Sequence, residues 1–85
     1  MFRVIFTKKA EVQLHKLPKD IQRRVLSVLK RIIIKPHRYV RRIVGTQLFR
    51  VRIGEYRVII DINEKNLIVL VLFIAHRKKV YKTKV

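Results

Sequence analysis

The sequence predicts an α+β fold in which a helical hairpin covers one face of a mainly antiparallel sheet. Three observations carry this expectation. Apolar residues recur at helical spacing through the first part of the chain, then at alternate positions from Leu48 onward. Pro18 and Pro36 punctuate the helical part. Gly54-Glu55 separates two alternating runs, as the turn of a β-hairpin would.

Each element follows in order. Phe2 to Phe6 alternates, with β-branched content, and predicts an N-terminal strand. Thr7 suits an N-cap for a helix from Lys8 to Lys16, with Ala10, Leu14 and Leu17 as its buried stripe. Pro18 restarts the chain as a first-turn proline, with Asp20 close to the helix N-terminus. Ile21, Val25, Val28, Leu29 and Ile32 then keep helical spacing until Pro36 stops the helix. The segment 35–46 is polar and basic and predicts a loop. A three-stranded antiparallel meander follows, with strands from Leu48 to Ile53, Tyr56 to Ile62 and Leu67 to Ala75. The last run is apolar throughout, as in a strand with neighbours on both sides. His76 to Val85 is read as a basic tail. No repeat, low-complexity segment or linker divides the chain, so residues 1–85 are expected to form a single domain.

The composition narrows the partners. Lys and Arg number 22 against 5 Asp and Glu, for a net charge of +17, in a chain that is 49% hydrophobic. That density of like charge calls for anions nearby: nucleic acid, an acidic protein or an anionic membrane. A solvated basic surface is the plain alternative. Nucleic acid fits best, because the basic residues are spread through segments expected to fold. The absence of cysteine excludes disulfides and thiolate metal sites, and a cytoplasmic setting fits it. The N-terminus lacks a signal-peptide core, and the longest apolar run is far below the roughly 20 residues that span a bilayer.

Pairing across Gly54-Glu55 sets Ile53 against Tyr56, Arg52 against Arg57 and Val51 against Val58. Phe49, Val51, Ile53, Tyr56, Val58 and Ile60 then share a core face, and Arg50, Arg52 and Arg57 share the other. Continuing through the Asn63–Asn66 turn sets Ile62 against Leu67 and Arg57 against Leu72. On that register His76 projects beside the three arginines, with Arg77 and Tyr81 following on the tail. Guanidinium groups bind phosphate in bidentate fashion, and an aromatic ring among them can stack on an unpaired base. Arginines on a solvent-facing sheet are also common without any ligand, and Asp61 or Glu55 could neutralise part of this patch. His15 and His37 have no partner at ligand spacing and are read as surface residues. No HExxH, CxxC, P-loop or GxSxG pattern occurs, and carboxylates are too few for a paired acid–base site. No metal or other cofactor is expected.

Several segments together resemble the RelE branch of the RelE/ParE toxin superfamily. They are Leu17-Pro18-Lys19, Phe49-Arg50-Val51-Arg52-Ile53-Gly54, Tyr56-Arg57-Val58-Ile59 and Ala75-His76-Arg77-Lys78-Lys79-Val80-Tyr81. The resemblance implies an mRNA endonuclease that works in the ribosomal A site without a metal, by attack of a ribose 2′-hydroxyl on the adjacent phosphate. It implies that Arg57 and Arg77 hold that phosphate and that Tyr81 stacks on or orients the substrate. Arg50 and Arg52 lie where relatives carry RNA-binding basic residues. The best-known bacterial relatives have lysines on that strand, and arginine is a poorer proton carrier. His76 is therefore the candidate for proton transfer, with simple contact to phosphate or ribosome as its alternative. Lys8, Lys9, Arg23 and Arg24 on the helices are expected to meet ribosomal RNA. An acidic RelB-like antitoxin is the expected protein partner, bound at the free sheet edge and at apolar helix residues including Ile33 and Ile34. The toxin alone is expected to be monomeric. Two rival readings stand beside this one: a ParE-like gyrase inhibitor without nuclease activity, and a structural RNA-binding protein.

Overall fold

The computed structural model describes residues 1–77. Strand β1 (Arg3–Phe6) leads through Thr7 into helix α1 (Lys8–His15) and then helix α2 (Lys19–Ile32). Four strands follow: β2 (Arg41–Arg42), β3 (Phe49–Ile53), β4 (Tyr56–Asn63) and β5 (Ile68–His76). They form a five-stranded sheet in the order β1-β5-β4-β3-β2, with β1 parallel to β5 and the other pairs antiparallel. The expected α+β architecture is present, as is the expected meander. Strand β2 was not foreseen; it lies within the segment read as a loop.

Local chemistry explains the helices. The Thr7 hydroxyl accepts from the Ala10 amide at 3.1 Å, capping α1. Pro18 stands at the N-cap of α2 rather than within its first turn, with ψ of 148°, and its carbonyl accepts from the Gln22 amide. The apolar stripe of α2 buries Val25, Leu29 and Ile32. With Ala10 and Leu14 of α1 these residues pack on Val51, Ile53, Val58, Ile60, Val69, Val71 and Ile74 of the sheet. This cluster lies on one side of the sheet, beneath the helices, while Ile59 is buried on the other face. Full burial of such side chains contributes about 1.5–3 kcal/mol each.

The β3–β4 hairpin has the expected register, with Arg52 opposite Arg57 and Val51 opposite Val58. Gly54 has φ of +59°, and Glu55 is not in the positive-φ region, which agrees with a type II′ turn. The next turn differs from expectation. Strand β5 starts at Ile68, after Leu67 at φ +56°, so Ile62 faces Val69 rather than Leu67. The register then shifts between Ile59 and Ile60. Ile59 faces Phe73 while Ile60 faces Val71, leaving Leu72 as the extra residue of a β-bulge. Arg57 consequently faces Ala75, and Tyr56 faces His76.

Thr7 anchors this bulge to the start of α1. Its amide donates to the Val71 carbonyl and its hydroxyl to the Leu72 carbonyl, at 3.0 and 2.7 Å. Beyond β1, helix α1 covers the exposed edge of β5, and the Gln13 side chain accepts from the Ile74 amide at 2.7 Å. A sheet edge that could have paired with another chain is closed in this way.

Candidate arginine-lined site on the open sheet face

The face of the sheet turned away from the helices carries a concavity of about 200 Å³ lined by Tyr39, Arg41, Arg50, Arg52 and Arg57. Its geometry follows from strand alternation. Arg50 and Arg52 occupy alternate positions of β3, whose intervening Val51 points into the core. Arg41 of β2 pairs with Arg50, and Arg52 pairs with Arg57 of β4. Four guanidinium groups thus stand on one surface as two directly opposed pairs.

Opposed like charges destabilise a sheet by roughly 0.2–1 kcal/mol per pair. Among the described residues no carboxylate forms an ion pair with any of the four arginines. Glu55 instead lies 3.2 Å from His76 Nε2, and Glu64 contacts His37 Nε2. Neither Glu55 nor Asp61 neutralises the patch through an ion pair. The arrangement is chemically suited to an anion that accepts hydrogen bonds from several guanidinium forks at once, as phosphate does. Arginine stays protonated near neutrality, so the cluster supplies fixed positive charge and hydrogen-bond donors rather than a titrating group.

Three of the expected site residues, Arg50, Arg52 and Arg57, come together here. His76 does not join them. The extra residue at Leu72 inverts the alternation of the last part of β5, so His76 emerges beside Tyr56 on the helix side of the sheet. There its ring meets Tyr56 edge-to-face, with centroids 5.1 Å apart. It lines a separate depression of about 440 Å³ at the junction of α1 and β5, which also includes Lys9, Lys16 and Gln13. The expected patch uniting His76 with the three arginines is corrected on this point.

Arg77 is exposed, and its amide donates to the Glu55 carbonyl at 2.6 Å, tying the end of β5 to the β3–β4 turn. Tyr81 lies outside the described residues. Lys8, Lys9, Arg23 and Arg24 are exposed on the helices, away from the arginine concavity. Lys9 extends over the Phe73 ring, 5.4 Å from its centroid. His15 is exposed, and His37 packs edge-to-face on Phe49 at 5.4 Å in addition to its contact with Glu64. Among the described residues no cluster of three or more His, Cys, Asp or Glu could hold a metal ion. No helix among them is long and apolar enough to cross a membrane.

Two residues of the concavity, Tyr39 and Arg41, were not anticipated. The available signal was composition alone: a tyrosine and consecutive arginines within the basic segment 35–46.

A sequence model of the family described as the ParE toxin of type II toxin–antitoxin systems matches residues 4–81. No curated protein matches the chain. Among solved structures, the chain is similar to one in the archaeal RelE–RelB complex from Pyrococcus horikoshii. Identity there is 31% and TM-score 0.80, with 89% of this chain and 94% of that one covered. It is similarly close to one in the toxin–antitoxin complex RelBE2 from Mycobacterium tuberculosis. That match has 30% identity and TM-score 0.78 and covers 89% of this chain and 98% of the other. A chain in the intact RelBE complex from E. coli matches at TM-score 0.81, covering 89% of this chain and 96% of that one; at 14% identity this likeness concerns the fold alone.

Proposed function

Because the chain belongs to the ParE toxin family of type II toxin–antitoxin systems, in the RelE-like branch of the RelE/ParE superfamily, we propose that it is a ribosome-dependent endoribonuclease cleaving mRNA in the A site. The observation that carries this reading is the concavity of four arginines, which no carboxylate among the described residues pairs with. A structural RNA-binding protein needs scattered positive charge; it does not need opposed guanidinium pairs focused on one hollow.

In this reading Arg57 and Arg52 hold the scissile phosphate, and Arg50 positions the backbone beside it. The 2′-oxygen of the ribose attacks the adjacent phosphorus as the 5′-oxygen leaves. The proton lost by the 2′-hydroxyl passes to solvent, and the departing oxygen takes one up. Negative charge grows on the phosphoryl oxygens at the transition state, and fixed guanidinium donors stabilise it, an effect commonly worth about 2.7–4 kcal/mol per donor. Arg77 adds a further guanidinium from the end of β5, and Tyr81 orients the substrate. His76, on the opposite face, is assigned to contact with RNA or ribosome rather than to proton transfer. Lys8, Lys9, Arg23 and Arg24 supply the salt-dependent part of ribosome docking. The chemistry requires no metal.

The test is mRNA cleavage in a translating extract, mapped by primer extension, for the wild type and Arg57→Ala. Cuts at codon positions that need ribosomes and vanish in the variant are expected. Absence of cuts with the wild type, together with inhibition of gyrase supercoiling, would replace this reading with the gyrase-inhibitor one.

The solved relatives include complexes with RelB antitoxins, and an acidic antitoxin is the partner proposed here. A groove of about 290 Å³ between β1 and α2, lined by Val4, Phe6, Leu26, Leu29, Lys30 and Ile33, is its proposed seat. Strand β1 is the outermost on that side, so its edge can accept a further strand. Co-expression with an acidic RelB-like antitoxin should yield a stable complex that Leu26→Glu disrupts. A complex insensitive to that change would move the seat elsewhere.

A further inference from the structure

We propose that Tyr39 is a stacking platform for an unpaired base, and that the two arginine pairs beside it seat two consecutive phosphates of the same single strand. This inference rests on the concavity being an RNA site and adds the footprint of the strand upon it. The pairs Arg41–Arg50 and Arg52–Arg57 are offset by two residues along β3. That offset is about 6.6 Å along β3, and the pair centres differ by about 4.8 Å across it, which sets them about 8 Å apart, a gap that long arginine side chains can close to the step between successive phosphates of an extended RNA strand. Each pair presents two guanidinium groups to one phosphate, so each local repulsion is relieved by one bound anion.

Continuing the antiparallel β2–β3 register sets Tyr39 level with Arg52, on the β2 side of this row. It lines the same concavity, two residues before Arg41, and is 41% exposed. The Arg38 guanidinium lies 6.0 Å from the centre of its ring. A cation over one side of the ring leaves the other side for a base, and aromatic stacking of this kind tolerates any base. The phosphate at the Arg52–Arg57 pair would then adjoin the stacked nucleotide, and the next phosphate along would reach Arg41–Arg50. An acidic peptide would satisfy the charges but would give no role to an exposed aromatic ring beside the row.

The full-length protein should be titrated with a short single-stranded oligonucleotide made uncleavable by 2′-deoxy substitution, with binding followed by fluorescence anisotropy. Tyr39→Ala is expected to weaken binding about tenfold, and Tyr39→Phe to restore it. The loss should disappear when the nucleotide that stacks is replaced by an abasic one, located by scanning that replacement along the oligonucleotide. Removing both arginines of either pair should flatten the salt dependence by about 0.7 in the log–log slope, the share of one phosphate on a single strand. Equal binding by Tyr39→Ala and wild type would overturn the proposal. So would an equal loss on abasic and intact strands, or tighter binding of a polyglutamate peptide than of the oligonucleotide. The nuclease reading is separable: ribosomal cleavage with Tyr39-independent binding sinks the footprint alone. Tyr39-dependent binding by a protein that never cleaves leaves the footprint standing and sinks the nuclease.

Discussion

The two faces of the β3–β4 hairpin are made from alternate residues of the same strands, yet they obey opposite physics. On the helix side, Val51 and Ile53 are 3% and 2% exposed, and Val58 and Ile60 are fully buried. On the other side Arg50, Arg52 and Arg57 face solvent in a cluster whose internal interactions are repulsive. The first face holds the protein together at some indifference to charge; the second brings like charges together and is suited to an anion. Because side chains alternate with a period of two, neighbouring residues of one strand serve these separate ends without sharing contacts.

That separation can be broken by substitution. The largest effect is expected from Ile60→Ala, which empties a fully buried site and should cost about 2–5 kcal/mol in urea denaturation. Cleavage per folded molecule should not change. Arg57→Ala should reduce cleavage about a hundredfold, or about 2.7 kcal/mol of transition-state stabilisation, with a melting temperature no lower than wild type. A large loss of stability in Arg57→Ala would show that the two faces are coupled. The smallest and most discriminating change is Arg52→Thr. Removal of one of two opposed charges should raise stability by a few tenths to about 1 kcal/mol. A fall in stability would mean that the pair is not repulsive in the free protein.

The same contrast explains what was legible in the sequence. The elements of the helix side could be read because burial writes a period: 3.6 in α2 and two in β3. The arginine pair at 52 and 57 followed from Gly54-Glu55, a short turn that fixes register. Strand β2 leaves no such mark, since it is two exposed arginines with no apolar alternation, so nothing in the sequence marks Arg41 as the partner of Arg50 or Tyr39 as lining the same hollow. The bulge at Leu72 was invisible for a different reason. Every residue from Leu67 to Ala75 is apolar, so a one-residue slip changes which of them face the core without altering the pattern. His76, the first polar residue after that run, therefore emerges on the face opposite to the one that unbroken alternation predicts. The edge closure by Gln13 was equally hidden, because a single polar residue on a short helix carries no signal of what it will cap.

The least secure strand carries one of the two opposed charge pairs. β2 is held by two residue pairs at the margin of the sheet, and one of them opposes Arg41 to Arg50. An anion drawn between those guanidinium groups removes the repulsion and so favours the paired form of the edge. By linkage, anything that unpeels β2 lowers affinity, and anything that binds there protects its amides from exchange. Occupancy of the hollow and closure of the sheet margin are then a single equilibrium observed from two sides.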